Sequence, residues 1–175
     1  MPVSLNEFVA LDGPARWGYL DRAAKVRLAT ADNSGTIHVS AEWFIADEET
    51  LYVPLDGVIF DPGQTTTPAQ IHIDNIAGNS TVSGVIDEGD EITEFRAVHF
   101  SGTAVLVEDP QLIEELLSLS AVKYFYNDHP HLEFYFSEGL VKARRWYRIE
   151  LNDIGGWDAR ILAQPPINER RRLPK

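Results

Sequence analysis

The side chains with the most chemistry in this sequence are five histidines, and there is no cysteine. Without cysteine there is no disulfide framework, thiol nucleophile or thiolate metal site. His129 and His131 flank Pro130 and offer two imidazoles. No third ligand follows at a known metal spacing, so the pair reads as a surface loop and no metal is expected. His72 sits in the segment Gln70-Ile71-His72-Ile73-Asp74-Asn75-Ile76, a short helix or irregular stretch, and its imidazole is neutral for much of the time near pH 7. Asp87 and Glu88 read as the charges of a turn. No nucleophile elbow, phosphate loop or Ser/His/Asp arrangement is visible, so no catalytic residue identifies itself. The remaining donors are Thr65, Thr66 and Thr67 in a Gly63-bearing loop, and the cations Lys25, Arg27, Arg96, Arg144, Arg145 and Arg160.

Charge narrows the partners. The chain carries 27 acidic against 15 basic residues, a net charge of −12. Its end, Glu169-Arg170-Arg171-Arg172-Leu173-Pro174-Lys175, is basic, so the preceding residues carry −15. Such a body repels nucleic acid. The 175 residues, 44% hydrophobic and 24% charged, suit one domain with a single core. No apolar run approaches ~18 residues and nothing near the start resembles a secretory signal. A cytoplasmic protein with no membrane or nucleic-acid partner is expected.

The elements that must position these groups are mostly strands. From Lys25 to Leu55 three strand-like runs are joined by two turns, Asp32-Asn33-Ser34-Gly35 and Asp47-Glu48-Glu49. In the second run Ile37, Val39 and Ala41 alternate with His38, Ser40 and Glu42 before Trp43-Phe44-Ile45. Gly35 supplies the positive φ that a tight reversal needs. Such a meander has open edges that something must cover. Ahead of it, Ser4 and Glu7 form a capping box for a first helix that Asp12-Gly13-Pro14 ends. A second helix over 15–24 turns Trp17, Leu20 and Ala24 inward. After it, 56–70 is a long Gly-, Pro- and Thr-rich loop, of a kind often functional. Ser80–Ile86 and Phe95–Glu108 are further strands, the second carrying Gly102 as a bulge or bend. Asp109-Pro110 starts a helix through Ser120 that extends or restarts to Asn127. Leu132–Phe136 suits a strand or an interface, and Leu140–Leu151 a strand. Asn152–Gly156 reads as a turn and Trp157–Leu162 as a last short strand or arm. Five to seven mostly antiparallel strands with inserted helices point to a closed or nearly closed β-barrel.

The pieces ATADNSGTIHVSAEWF, STVSGVIDEGD, FRAVHFSGTAVLVEDP and YRIELNDIGGWDARIL, in that order, resemble the successive strands of the pyridoxamine 5'-phosphate oxidase-like, flavin-binding split-barrel superfamily. The resemblance runs from about Val26 to Leu162. It implies a mainly β fold with added helices, a six-stranded antiparallel Greek-key split barrel, and a homodimer holding a flavin at the interface. The organisation it implies is an N-terminal helical segment (1–24), a flavin-binding barrel (25–163) and a basic tail (164–175). It sets Ser40, Ala41 and Glu42 alongside the flavin ring with Trp43 close by, and brings Trp157 and Arg160 toward the flavin or substrate of the partner subunit. Trp157 serves equally as a dimer anchor.

The phosphate end departs from the family pattern. The usual lysine position falls on His72, the arginine before it on Ile71, and an arginine of the second strand on Ser40. A phosphate dianion needs fixed positive charge or clustered donors, which here leaves Thr66, Thr67 and their loop. The cofactor implied is flavin mononucleotide, with the deazaflavin coenzyme F-420 as the alternative, or none. The activity implied is hydride transfer between that flavin and a small organic substrate. The competing reading is a split barrel that binds a small molecule or haem without turnover; His72, His99, His129 or His131 would then be the axial ligand.

Overall fold

The computed structural model describes residues 9–56, 66–91, 94–125 and 129–163. In chain order the elements are α1 (Gly13–Arg22), β1 (Val26–Ala31), β2 (Ile37–Glu42), β3 (Ile45–Asp47), β4 (Thr50–Leu55), α2 (Pro68–Gly78), β5 (Thr81–Glu88), β6 (Arg96–Leu106), α3 (Pro110–Tyr124), α4 (Leu132–Tyr135), α5 (Glu138–Ala143) and β7 (Arg145–Asp158), then a 3-10 turn, Ala159–Ala163. The strands form one antiparallel sheet in the order β2-β1-β5-β6-β7-β4-β3. No helix among the described residues is long and apolar enough to cross a membrane. The first expected helix and the basic tail lie largely or wholly outside the described residues, as does most of the 56–70 loop.

The local signals explain most of these boundaries. The Asp32 carboxylate accepts from the N–H groups of Ser34 and Thr36, and Gly35 sits at φ 86°, so the β1–β2 reversal is an Asx-type turn. Asp12, Thr67 and Asp109 each cap a helix whose first turn holds a proline. In α1 the buried side chains are Tyr19 and Leu20, followed by Ala23; Ala24, expected inward, is exposed. The β6 register shifts between Ser101 and Gly102, where a side chain would run into the Glu150 carbonyl.

Seven strands stand where six were expected, because the second run breaks. Beyond Glu42 the chain crosses from one edge of the sheet to the other through Trp43 and Phe44 alone, since β2 and β3 are the two edge strands. Glu42 and Ile45 are three residue steps apart, at most about 11 Å, so the sheet must curl until its edges nearly meet. It closes into a barrel with a split. The Phe44 peptide groups are satisfied by one side chain instead of a neighbouring strand: the Tyr124 hydroxyl accepts from Phe44 N–H (2.9 Å) and donates to Phe44 C=O (2.6 Å).

Three further expectations are corrected. Asn152–Gly156 is not a turn but the middle of β7, and Trp157–Asp158 end that strand instead of forming a separate one. Gly155 and Gly156 serve close approach, since a Cβ there would meet the His99 ring and the Ala97 carbonyl. Leu132–Tyr135 and Glu138–Ala143 are short helices, and the strand begins only at Arg145. The aromatics of 132–136 pack as a cluster with Phe125 instead of along a sheet.

Apolar residues fill both faces around β4. Leu51, Val53 and Leu55 point into the barrel with Tyr147, Ile149, Phe100 and Ile86. Tyr52 joins Ile45, Trp146 and Leu116 beneath α3 on the other side. That double burial is why TLYVPL reads as an unbroken apolar run. β2 does the opposite. Its apolar residues face outward, with Ile37 69% and Val39 56% exposed, while His38, Ser40 and Glu42 turn inward.

Replacing Tyr124 by Phe leaves both Phe44 peptide groups without this partner. It is expected to cost about 2 kcal/mol in urea unfolding; a loss below ~0.5 kcal/mol would mean that solvent serves Phe44 as well.

Candidate functional site

Beyond Tyr52, β4 pairs only with β7, and the edge it turns toward β2 carries Pro54, a residue tolerated in edge strands. A cleft of about 400 Å³ lies along this split, within the usual range of roughly 300–1,000 Å³ for small-molecule sites. One wall is Ser40, Ala41, Glu42 and Trp43, running off the end of β2. The opposite wall is Pro54 and Asp56, the floor is Thr67, Pro68 and Ala69 at the start of α2, and Tyr135 closes one end. Trp43 is held by stacking on Tyr124 (4.5 Å, 9°) and by Phe125 and Tyr135 at its edges. A small exposed Ala41 beside a fixed indole makes a flat, apolar slot.

Behind that slot runs a chain of polar groups that the sequence did not reveal. Asn75 Nδ2 donates to Thr30 Oγ1 (2.9 Å), which lies 2.8 Å from His72 Nδ1. His72 Nε2 lies 2.7 Å from Ser40 Oγ, which donates to Glu42 Oε1 at 2.5 Å. The Glu42 end sets the direction. A carboxylate only accepts, so with Glu42 ionised the Ser40 proton is committed to it, Nε2–H donates to Ser40, and the Nδ1 of a neutral ring accepts from Thr30. His72 is neutral and wholly buried; burial, helped by His38 nearby, pulls its pKa down to about 4. Burial raises the Glu42 carboxyl, Asp56 adds to that, and the Ser40 hydroxyl opposes it.

The charges of the cleft are acidic or already matched. Asp56 is gripped by Arg144 through two contacts of 2.6 and 3.0 Å, and the same guanidinium donates to the Tyr135 carbonyl. Arg144 is therefore buried and committed, and among the described residues Glu42 has no charged cation beside it. A flavin-type ring fits this slot: it finds an aromatic wall, a small residue over its face, and polar groups at its rim. A phosphate does not fit. At 4 Å a further negative charge would meet Glu42 with about 4 kcal/mol of repulsion at an effective dielectric near 20. The start of α2 returns only roughly 0.3–1 kcal/mol. There Pro68 has no N–H to give and the Gln70 N–H is taken by Thr67 Oγ1.

Of the residues singled out from sequence, the structure gathers Ser40, Ala41, Glu42, Trp43 and Thr67 around one cleft, with His72 directly behind. Thr66 is exposed and outside the lining. Trp157 and Arg160 do not reach it within one chain. Trp157 lines a second, open groove of about 650 Å³ on the outer face of the sheet, beside Phe95 and His99. Arg160 is paired with Asp158. Asp56 and Tyr135 were missed as site residues, and Arg144 stood only as one of six cations available to help, because only folding brings 56, 135 and 144 together. The period-two alternation did contain the signal for Ser40 and Glu42 on one face with His38.

His72 makes stability pH-dependent in a defined sense. Its pKa is near 6.5 when unfolded and about 4 when folded, so between these values the unfolded chain binds the extra proton. Stability is then full above about pH 6.5 and lost as pH falls toward 4. From pH 7 to pH 5 the native protein is expected to lose about 2 kcal/mol that a His72→Gln variant does not lose. Urea unfolding of both at the two pH values checks this; parallel losses would refute it.

Comparison with known proteins bears on the same stretch. The family model for pyridoxamine 5'-phosphate oxidase matches residues 19–158, whereas curated protein sequences yield no match. Among solved structures, a conserved hypothetical protein from Mycobacterium tuberculosis is 20% identical with a TM-score of 0.69, covering 91% of this chain and 92% of that one. The haem storage protein HutZ from Vibrio cholerae is 17% identical with a TM-score of 0.59, over 81% and 92%. An FAD-binding protein from Mesorhizobium loti is 18% identical with a TM-score of 0.59, over 84% and 94%. At these identities the structural matches establish the fold and no more. With the model spanning the whole sheet from α1 to the end of β7, this chain belongs to the pyridoxamine 5'-phosphate oxidase family.

Proposed function

We propose that the chain is an oxidoreductase that seats a flavin-type ring in the cleft between β2, β4 and α2, for hydride exchange with a small organic substrate. The observation that carries this reading is the slot itself: Ala41 and the clamped Trp43 form a flat apolar wall on an edge strand, with Ser40, Glu42 and Thr67 at its rim. The protein's own part is to orient the ring, keep water from its face and hold polar groups at its edge. Haem is a weaker occupant. His72, behind the cleft, has both ring nitrogens engaged and no lone pair free for a metal. Binding without turnover is the second reading, favoured by the absence, among the described residues of the cleft, of an uncommitted cation to fix a phosphate. Flavin mononucleotide, FAD and coenzyme F-420 all carry negative charge on their side chains, which this cleft does not match.

The working unit in this reading is a homodimer joined across the outer face of β2, β1 and β5. Ile37, Val39 and Val85 are exposed there, next to the open groove that Trp157 lines. An apolar face of this kind on a sheet edge needs a cover. A second copy would also bring Trp157 of each chain to the seam.

Two measurements test these statements. Ala41→Trp fills the slot from an exposed position, so riboflavin binding followed by fluorescence quenching is expected to fall at least ten-fold with stability changed by less than ~0.5 kcal/mol. Unchanged binding would place the ring elsewhere. Val39→Asp is expected to turn a dimer into a monomer in sedimentation velocity; a native protein already monomeric at tens of micromolar would end the dimer proposal.

A further inference from the structure

We propose that this cleft selects against phosphate: it takes a planar aromatic ligand whose polar end is uncharged and donates hydrogen bonds, and it turns phosphorylated flavins away. The inference rests on the ring-binding reading above. Its basis is what this chain has put at the polar end of the slot. Ser40 and His72 are bonded to each other at 2.7 Å, both neutral, and the only proton on the serine is directed at Glu42. The acceptor oxygens of Glu42 are thus what a ligand meets, with its second oxygen free of the Ser40 bond. Across the slot Asp56 holds the guanidinium of Arg144 in a two-point grip. Among the described residues of the cleft an anionic tail therefore has no uncommitted positive partner, while a ribityl hydroxyl or a ring N–H has a carboxylate to donate to.

Riboflavin and flavin mononucleotide differ only in that phosphate, which makes them the probes. The purified full-length protein is titrated with each, following quenching of flavin fluorescence, at low and at 0.5 M salt. Riboflavin is expected to bind at least ten-fold more tightly. Salt is expected to strengthen binding of the mononucleotide by screening its repulsion, the reverse of what a phosphate-capturing site shows. Glu42→Gln, close to isosteric, is expected to narrow the preference for riboflavin over the mononucleotide about five-fold or more, whatever it does to riboflavin binding itself; an unchanged ratio would overturn the inference. Equal or tighter binding of the mononucleotide, or binding that weakens with salt, overturns the inference and leaves the ring-binding reading standing. Failure of both flavins to bind overturns that reading, and this inference with it.

Discussion

Two residues, Trp43 and Phe44, tie one edge of the sheet to the other, and the rest of the architecture answers that short tether. A seven-stranded sheet whose first and last strands are joined by so little chain cannot lie open. It has to curl until β2 and β4 face each other, and at the tether itself neither strand can ladder with the other. The Phe44 peptide groups are satisfied by a tyrosine hydroxyl from α3, and the gap along the seam is covered by α2 and by aromatic side chains. The cleft is a consequence of closing a barrel through a link too short to pair. It is positioned by the same contacts that stabilise the fold.

Covering the seam with a helix creates a second demand. β2 turns His38, Ser40 and Glu42 inward, and a polar strand face under a helix must have every donor and acceptor matched. The chain from Asn75 through Thr30, His72 and Ser40 to Glu42 achieves that without burying a cation. Each member accepts one hydrogen bond and passes one on, so the tautomer of His72 follows from the Glu42 end of the chain. Charging that imidazole would place a cation out of water beside His38, which is why burial, helped by His38, depresses its pKa. His38 Nε2, buried with no partner among the described residues, marks the one place on this face where matching is incomplete.

Much of this fold was legible because its signals are local. The cap at Asp109, the Asx turn at Asp32 and the bulge glycine at 102 each follow from a residue's own hydrogen-bonding or φ preference; Asp12 and Thr67 cap by the same rule, though they read as a helix stop and a loop donor. The family resemblance added strand order, which no local signal carries. What failed were stretches where distant contacts decide. Gly155-Gly156 reads as a turn in one dimension, yet it is the thin point of a strand lying against His99 and Ala97. LEFYF has strand-like composition, yet Phe125 and Trp43 offer its rings an aromatic cluster. For the site, Ser40 to Trp43 could be placed as a unit because they are contiguous. Arg144 and Asp56 could not, being 88 positions apart.

The neutral pair at Ser40 and His72 would also account for the two departures that the resemblance implies at these positions coming together. A lysine at 72 would put an ammonium in a buried place between two neutral hydroxyls, Thr30 and Ser40, with its charge unpaired except through Glu42. An arginine at 40 would leave His72 Nε2 without its acceptor and displace the Glu42 bond. Either change alone leaves buried groups unmatched, at a cost of about 1–3 kcal/mol each. With histidine at 72, serine at 40 is the small hydroxyl that links it to a carboxylate, and Glu42 is the acceptor that ends the chain at the cleft. These positions are coupled through shared hydrogen bonds. The character of the slot therefore belongs to the network behind it, and a single substitution at its surface does not convert it into a phosphate site.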